Sequence, residues 1–436
     1  MKNESKVISQ GGFGCIFYPS LSCKSEHNEG KNEKEYVSKL VEKNFSSKNE
    51  IDIGNIIKKI PFYSLYYVPI LQSCNADLSK VGTKEIQKCN IIDKDKDKDK
   101  DKDKDKDKDK DKDKDKDKDS SNEERVKYIL LKMKYVKNIK FTDYLLSNKS
   151  KKHILNIIFD TYSYFLFSLE QLMTYEIVHF DFKWDNAVID LKTELPVILD
   201  FGISIPVRKL LEHNRDLGGE DKEHNHDKEH SRGDKYDVFR DYFYTYFPRY
   251  SLWPPEVHAM CYVLHEHSRI TPESLQNLID DCVDSNAAFT IFSPEFLEKY
   301  KQLCFKTMEH LIDKPRRDVI HECLKFWNTW DNYALSIAYF QIIRFISSTG
   351  FTSNTFLLSF SKILLGNVHP DPVKRSSYTT TRYAYKSIFY QETRIRDFEL
   401  LVDNFDFDRF KHESVKESQR SQDLFSHLSM SHGSKR

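Results

Sequence analysis

The chain has 436 residues, 68 of them Lys or Arg and 68 Asp or Glu, so its formal net charge is zero. That length exceeds one minimal domain and implies one large domain with insertions, or two to three ordinary ones. Charge balance removes any general attraction to nucleic acid or to a membrane surface, while a 39% hydrophobic and 13% aromatic content suffices for a sizeable core.

In chain order, residues 7–18 (VISQGGFGCIFY) are apolar on both sides of a glycine cluster, which predicts strand, tight turn, strand. Residues 35–41 (EYVSKLV) predict a further strand. Residues 51–60 (IDIGNIIKKI) have helical apolar spacing and are stopped by Pro61. Residues 63–71 and 125–136, rich in aromatic and branched side chains, predict two more strands. Between them, residues 93–119 are a strict alternation of 14 Asp and 13 Lys, which can bury nothing and predicts an overgrown, disordered loop within a sheet. Outside this tract 109 of 409 residues are charged, about 27%, an ordinary globular value. Residues 1–137 therefore read as a mainly antiparallel sheet with one helix.

The remainder reads as mainly helical. Residues 154–173 are apolar on most faces and predict a buried helix, as do residues 334–346. Residues 196–199 (PVIL) predict a short buried strand, and the polar, Gly-bearing residues 209–235 a second insertion. From about Asp403 to residue 436 the chain turns charged and Ser-rich, the composition of a flexible tail. Lys2, Glu4 and Lys6 with no apolar run predict no signal peptide, and Asn156, Asp160 and Glu170 interrupt the most apolar stretch, so no membrane span is expected. The eight cysteines are scattered without a Cys-x-x-Cys, which predicts free thiols in a reducing, cytoplasmic setting.

The residues that carry chemistry concentrate in 177–204, IVHFDFKWDNAVIDLKTELPVILDFGIS. Phosphoryl transfer needs a carboxylate to orient or accept the proton of the attacking hydroxyl, and Asp181 suits. It needs a cation against the charge of the moving group, and Lys183 suits. It needs oxygen ligands for magnesium between the nucleotide phosphates, and Asn186 and Asp200 suit. The apolar PVIL strand would deliver Asp200 to a cleft floor, and Gly202 lets the backbone turn away.

Here the chain resembles the protein kinase family: HFDFKWDN is similar to the catalytic loop HRDLKxxN, and ILDFG to the magnesium-binding DFG segment. The resemblance extends over roughly residues 5–400 outside the two insertions. Ser9, Gln10, Gly11, Gly12, Phe13, Gly14, Cys15, Ile16 and Phe17 resemble the glycine-rich phosphate lid, with Ser9 at the first glycine place. Lys39, flanked on its pleat face by Val37 and Val41, resembles the strand lysine that pairs with the phosphates, and Glu50, eleven residues on, its helix glutamate. Glu50 also suits a helix N-terminus by charge alone. Trp253-Pro254-Pro255-Glu256 resembles the A-P-E that closes the activation segment, and Asp371-Pro372-x-x-Arg375 the late D-P-x-x-R whose arginine meets that glutamate. Asp331 resembles the aspartate that opens the central helix and braces the catalytic loop, and Met133 aligns with the residue before the hinge.

The chain also departs from the family pattern. Phe180 replaces the arginine that meets an activation-loop phosphate, so switching through that contact is not expected. Arg249 falls where a threonine usually stands before A-P-E. His213, His224, His226 and His230 match no zinc spacing and read as part of a solvated loop. The run GGFGCIFYPSLSC, Phe180 and the Lys- and Asn-rich composition are similar to kinases of large DNA viruses, and the composition fits an AT-rich protist too.

The resemblance implies an α+β, bilobal protein-kinase-like fold. Its N-terminal antiparallel-sheet lobe, with one helix, would span 1–137; a larger, mainly helical C-terminal lobe would span 138–402. It implies a serine/threonine protein kinase with ATP and Mg2+ as cofactors and protein hydroxyls as acceptors, without nucleic-acid or membrane partners. Lys183 is the feature that indicates the serine/threonine class. A pseudokinase scaffold or a small-molecule phosphotransferase are the alternatives. The full Asp181, Asn186 and Asp200 set opposes the first; Lys183, Gly202, Glu256 and Arg375 oppose the second.

Overall fold

The computed structural model of the chain describes residues 5–11, 14–24, 33–76, 78, 81–92, 127–147, 150–216, 236–346, 354–390 and 392–416. The Asp-Lys tract, Gly12, Phe13 and residues 217–235 lie outside them. The described residues divide into two compact units, one within 5–58 and 68–137, the other within 59–67 and 138–416. The division falls between residues 137 and 138, and residues 59–67 belong to the second unit.

The first unit is built on a five-stranded antiparallel sheet of spatial order β1-β2-β3-β5-β4. Its strands are β1 (Lys6–Gly11), β2 (Gly14–Tyr18), β3 (Tyr36–Glu42), β4 (Gln72–Asn75) and β5 (Tyr128–Lys134). Central β3 runs against β5 from Tyr36 opposite Lys134 to Glu42 opposite Tyr128. Residues 37–41 are all buried, because both faces of the sheet are covered. Cys15, Phe17, Leu40 and Leu130 pack on one face with Cys89 and Ile91, beyond the short helix α2 (Thr83–Gln87). Val41, Ile129 and Leu131 pack on the other with Ile51 and Ile70. Alternation of side chains across the pleat produces this sorting. At Gly14 the strands approach too closely for a side chain: a Cβ would lie 2.5 Å from the Leu40 carbonyl oxygen.

Helix α1 (Phe45–Ile57) begins six residues before its apolar pattern does. A capping box sets the start: Asn44 Oδ1 accepts from the Ser47 amide and Ser47 Oγ from the Asn44 amide, both at 3.0 Å. Glu50 therefore sits inside the helix rather than at its N-terminus. The strand expected over 63–71 is replaced by a 3₁₀ turn, Tyr63–Leu65, and an extended approach to β4. Tyr67, Val68 and Ile70 are buried, and of this stretch Tyr67 makes an isolated parallel bridge to Ile198.

Two disulfides overturn the expectation that every cysteine is a free thiol. Cys15 is bonded to Cys89 and Cys23 to Cys74, across sequence separations of 74 and 51. Partners so distant leave no spacing signature and meet only once the sheet and the segment after α2 have folded. Cys261, Cys282, Cys304 and Cys323, in the second unit, are buried free thiols.

The second unit is mainly helical. Its strands are β6 (Asn138–Lys140), β7 (Ile177–Val178), β8 (Ala187–Asp190), β9 (Pro196–Ile198) and β10 (Ile205–Pro206). They form a three-stranded sheet, β6-β8-β9, and a two-stranded one, β10-β7. The helices are α3 (Phe141–Ser147), α4 (Lys151–Thr174), α5 (Val207–Asp216), α6 (Asp237–Tyr242), α7 (Pro255–His265), α8 (Pro272–Asp284), α9 (Pro294–Met308), α10 (Arg316–Leu324), α11 (Trp330–Ile346), α12 (Thr355–Asn367), α13 (Tyr378–Phe389) and α14 (Glu392–Asn404). In α11 only Gln341 and Arg344 escape burial, which explains its unbroken apolar reading. It packs on α4 through Tyr339 and Tyr162, ring centroids 4.8 Å apart.

Two polar segments are more ordered than their composition predicts. Residues 209–216, the start of the second insertion, complete α5, which is anchored by buried Val207 and Leu210. The tail continues past α14 as helix over 407–416, held by Phe405 and Phe410, each 1% exposed. A few apolar anchors fix segments whose mean composition is polar. Among the described residues no helix is long and apolar enough to cross a membrane.

Candidate functional site

In the second unit, β7 feeds a loop, residues 179–183, that continues through the 3₁₀ turn Trp184–Asn186 into β8. The loop has no ladder of its own, so its backbone needs other partners. Asp331, in the first turn of α11, supplies them: its carboxylate accepts from the His179 amide at 2.6 Å and the Phe180 amide at 3.0 Å. Burial pushes the Asp331 carboxyl above the ordinary carboxylate value, against the lowering pull of the two N–H donors.

Phe180 has φ 68°, a left-handed conformation that strains a bulky residue by on the order of 1–3 kcal/mol. Three contacts fix it there. Asp331 takes its N–H, the Trp253 indole donates to its carbonyl at 2.8 Å, and the two rings stack at 4.5 Å. The Phe180 ring thus serves as a packing contact on Trp253. His179, fully buried, has Nε2 3.1 Å from the Leu199 carbonyl, while its Nδ1 accepts from the Asp181 amide at 3.3 Å. These partners make Nε2 the donor and Nδ1 the acceptor. Ser204 Oγ donates to the His179 carbonyl at 3.0 Å, and Phe201 meets the imidazole edge-on at 5.1 Å.

The loop so braced presents Asp181. Lys183 Nζ lies 3.1 and 2.9 Å from its two carboxylate oxygens. Asn186 Nδ2 donates to Asp181 Oδ2 and to the Asp181 carbonyl, both at 2.9 Å. Tyr250 donates its hydroxyl to Asp181 Oδ1 at 2.6 Å. Asp181, Lys183 and Asn186, separate in the sequence pattern, therefore form one hydrogen-bonded cluster.

Asp200 reaches the same end of the sheet from the next strand. Ala187 pairs with Ile198, and the Leu199 amide donates to the Asn186 carbonyl at 2.9 Å, so Asn186 and Asp200 leave adjacent strands side by side. Asp200 is exposed and has φ 61°, with Oδ1 accepting from the Gly202 amide at 3.3 Å. The donor set fits magnesium: a carboxylate and an amide oxygen, the Asn186 nitrogen being committed to Asp181. Among the described residues no cluster of His, Cys, Asp and Glu large enough to cage a metal occurs.

In the first unit, Lys39 lies opposite Ile16 and Leu131 and reaches Glu50 of α1, with Nζ 3.1 and 3.0 Å from the two oxygens. Lys39 is 8% and Glu50 4% exposed, so the ammonium is neutralised within the fold. The eleven-residue spacing works because α1 starts early and turns Glu50 back over β3. Ser9 and Gln10 are exposed on β1, and Gly11 pairs with Gly14. Cys15 and Phe17 point into the core on the face opposite Lys39, whereas Ile16 shares its face. Met133 packs beside Val41 and Ile70.

Arg375 meets Glu256 in a bidentate, buried ion pair, with Nη2 to Oε2 at 2.9 Å, while Nε donates to the His369 carbonyl at 3.0 Å. Arg249 lies on the surface, 3.4 Å from Asp281. His213 sits on α5 beside Phe239, and His224, His226 and His230 lie outside the described residues.

Sequence reasoning missed Tyr250, the Trp253 indole and His258. The sequence cue for Tyr250 is a hydroxyl directly after Arg249. No protein-family model matches the chain, and no curated protein matches it.

Proposed function

We propose that this protein is a serine/threonine protein kinase that transfers the γ-phosphoryl group of Mg-ATP to protein hydroxyls. One observation carries the proposal: Asp181, Lys183 and Asn186 are joined around a single carboxylate, on a loop pinned by Asp331, with Asp200 leaving the adjacent strand. Asp181 orients the acceptor hydroxyl and takes its proton as the oxygen bonds to the γ-phosphorus. The bond from that phosphorus to the β–γ bridging oxygen breaks, and ADP leaves with the electron pair. Lys183 offsets charge on the moving group. Asn186 and Asp200 would hold magnesium, which when bound neutralises phosphate charge.

The test is transfer of labelled γ-phosphate from Mg-ATP to basic protein acceptors, wild type beside Asp200→Ala and Asp181→Asn. Phosphoserine or phosphothreonine from the wild type alone supports the assignment. Asp181→Asn should retain nucleotide binding while losing turnover. Near-native turnover in either variant refutes the roles given. Turnover onto small alcohols only would make the protein a small-molecule phosphotransferase, and none from folded wild type would make it a pseudokinase.

A further inference from the structure

A carboxylate offers about four lone-pair sites, two on each oxygen. Those of Asp181 are all taken: Oδ1 by Lys183 and Tyr250, Oδ2 by Lys183 and Asn186. An incoming acceptor hydroxyl must therefore replace one donor. Asn186 and Tyr250 are buried, whereas Lys183 is half-buried. Tyr250 is further fixed by its neighbours. Its carbonyl is 3.1 Å from His258 Nε2 and accepts from the Trp253 amide at 3.2 Å, and its ring meets Trp253 edge-on at 5.0 Å. Lys183, on a flexible stem and drawn to phosphate, is the donor able to leave.

We propose that Tyr250 is a positioning residue: its phenol holds the Asp181 carboxylate in place after Lys183 has moved from that carboxylate to the transferring phosphate. The proposal rests on the kinase assignment above. Burial, with the Asp181 charge beside it, pushes the Tyr250 phenol well above its ordinary value, so it remains a donor at neutral pH.

The experiment compares wild type with Tyr250→Phe, which keeps the ring on Trp253 and removes only the donor. The expected result is a loss in kcat of about tenfold, the worth of one hydrogen bond to a charged group, with KM for ATP and for the acceptor within about twofold. Hydrolysis of ATP by water should fall in parallel. Thermal melting supplies a readout without turnover: Tyr250→Phe should lower the midpoint of wild type but not of Asp181→Ala. Additive effects in that pair overturn the proposal. Unchanged kinetics in Tyr250→Phe overturn it too and leave a packing role. A faster variant with lower acceptor KM also overturns it, making the phenol an occupant of the acceptor place. Folded wild type that transfers phosphate to neither protein nor water refutes the kinase assignment and the proposal together.

Discussion

Opening both disulfides of the sheet unit should bring it close to unfolding. Cys23–Cys74 closes a ring of 51 residues, and the loss of denatured-chain entropy on closing it is worth about 4 kcal/mol at 25 °C. Cys15–Cys89 encloses that ring. With the inner bond formed, the outer loop shrinks from 74 residues to the difference of the two separations, about 23, and contributes about 3 kcal/mol more. The pair together is worth about 7 kcal/mol, against a typical domain stability of about 5–15 kcal/mol. Nesting makes the effects more than additive. Either bond alone compensates partly for loss of the other, so Cys23→Ser/Cys74→Ser should cost only about 3 kcal/mol. The assay is denaturant unfolding of oxidised, singly opened and fully opened protein, after alkylation under denaturing conditions to count thiols. Four free thiols are expected without reductant, those of Cys261, Cys282, Cys304 and Cys323, and eight with it. Eight thiols without reductant, or equal midpoints for oxidised and fully opened protein, would refute the reasoning.

Three further outcomes follow from buried charge. Glu256→Ala leaves the Arg375 guanidinium buried without its carboxylate and should destabilise the second unit by about 3–5 kcal/mol, whereas the Glu256→Gln/Arg375→Met pair should recover much of it in thermal melts. Lys39→Met strands Glu50 in the same way and should lower the stability of the first unit; Lys39→Met/Glu50→Gln should restore much of it, as read by thermal melting. Burial holds His258 down to about 4, so between there and its ordinary value near 6.5 the unfolded chain binds the extra proton. Stability should then fall as pH drops through that window, by up to about 1.4 kcal/mol per unit, and His258→Gln should flatten the dependence. A variant as pH-sensitive as wild type would assign the dependence to other groups.

Local pattern and chemistry determined much of this protein. The alternation around the glycines specified the β1–β2 hairpin, apolar runs specified α4, α11 and β9, and the order of Asp181, Lys183, Asn186 and Asp200 specified a candidate site, because each signal is contained in a few neighbouring residues. Capping chemistry in Asn44 and Ser47 also encodes the start of α1, and with it the place of Glu50 inside the helix. Only the tertiary structure decided the rest. Cys15 meets Cys89, Asp331 meets the 179–180 backbone across 151 or more residues, and Tyr250 finds Asp181 from 69 residues away. Such pairings depend on where packing carries each element. Gly14 shows both levels at once: the turn could be anticipated from the glycines, but the absent side chain is required by the Leu40 carbonyl of another strand. A sequence records which groups are available, and the packed core determines which of them are brought within hydrogen-bonding distance.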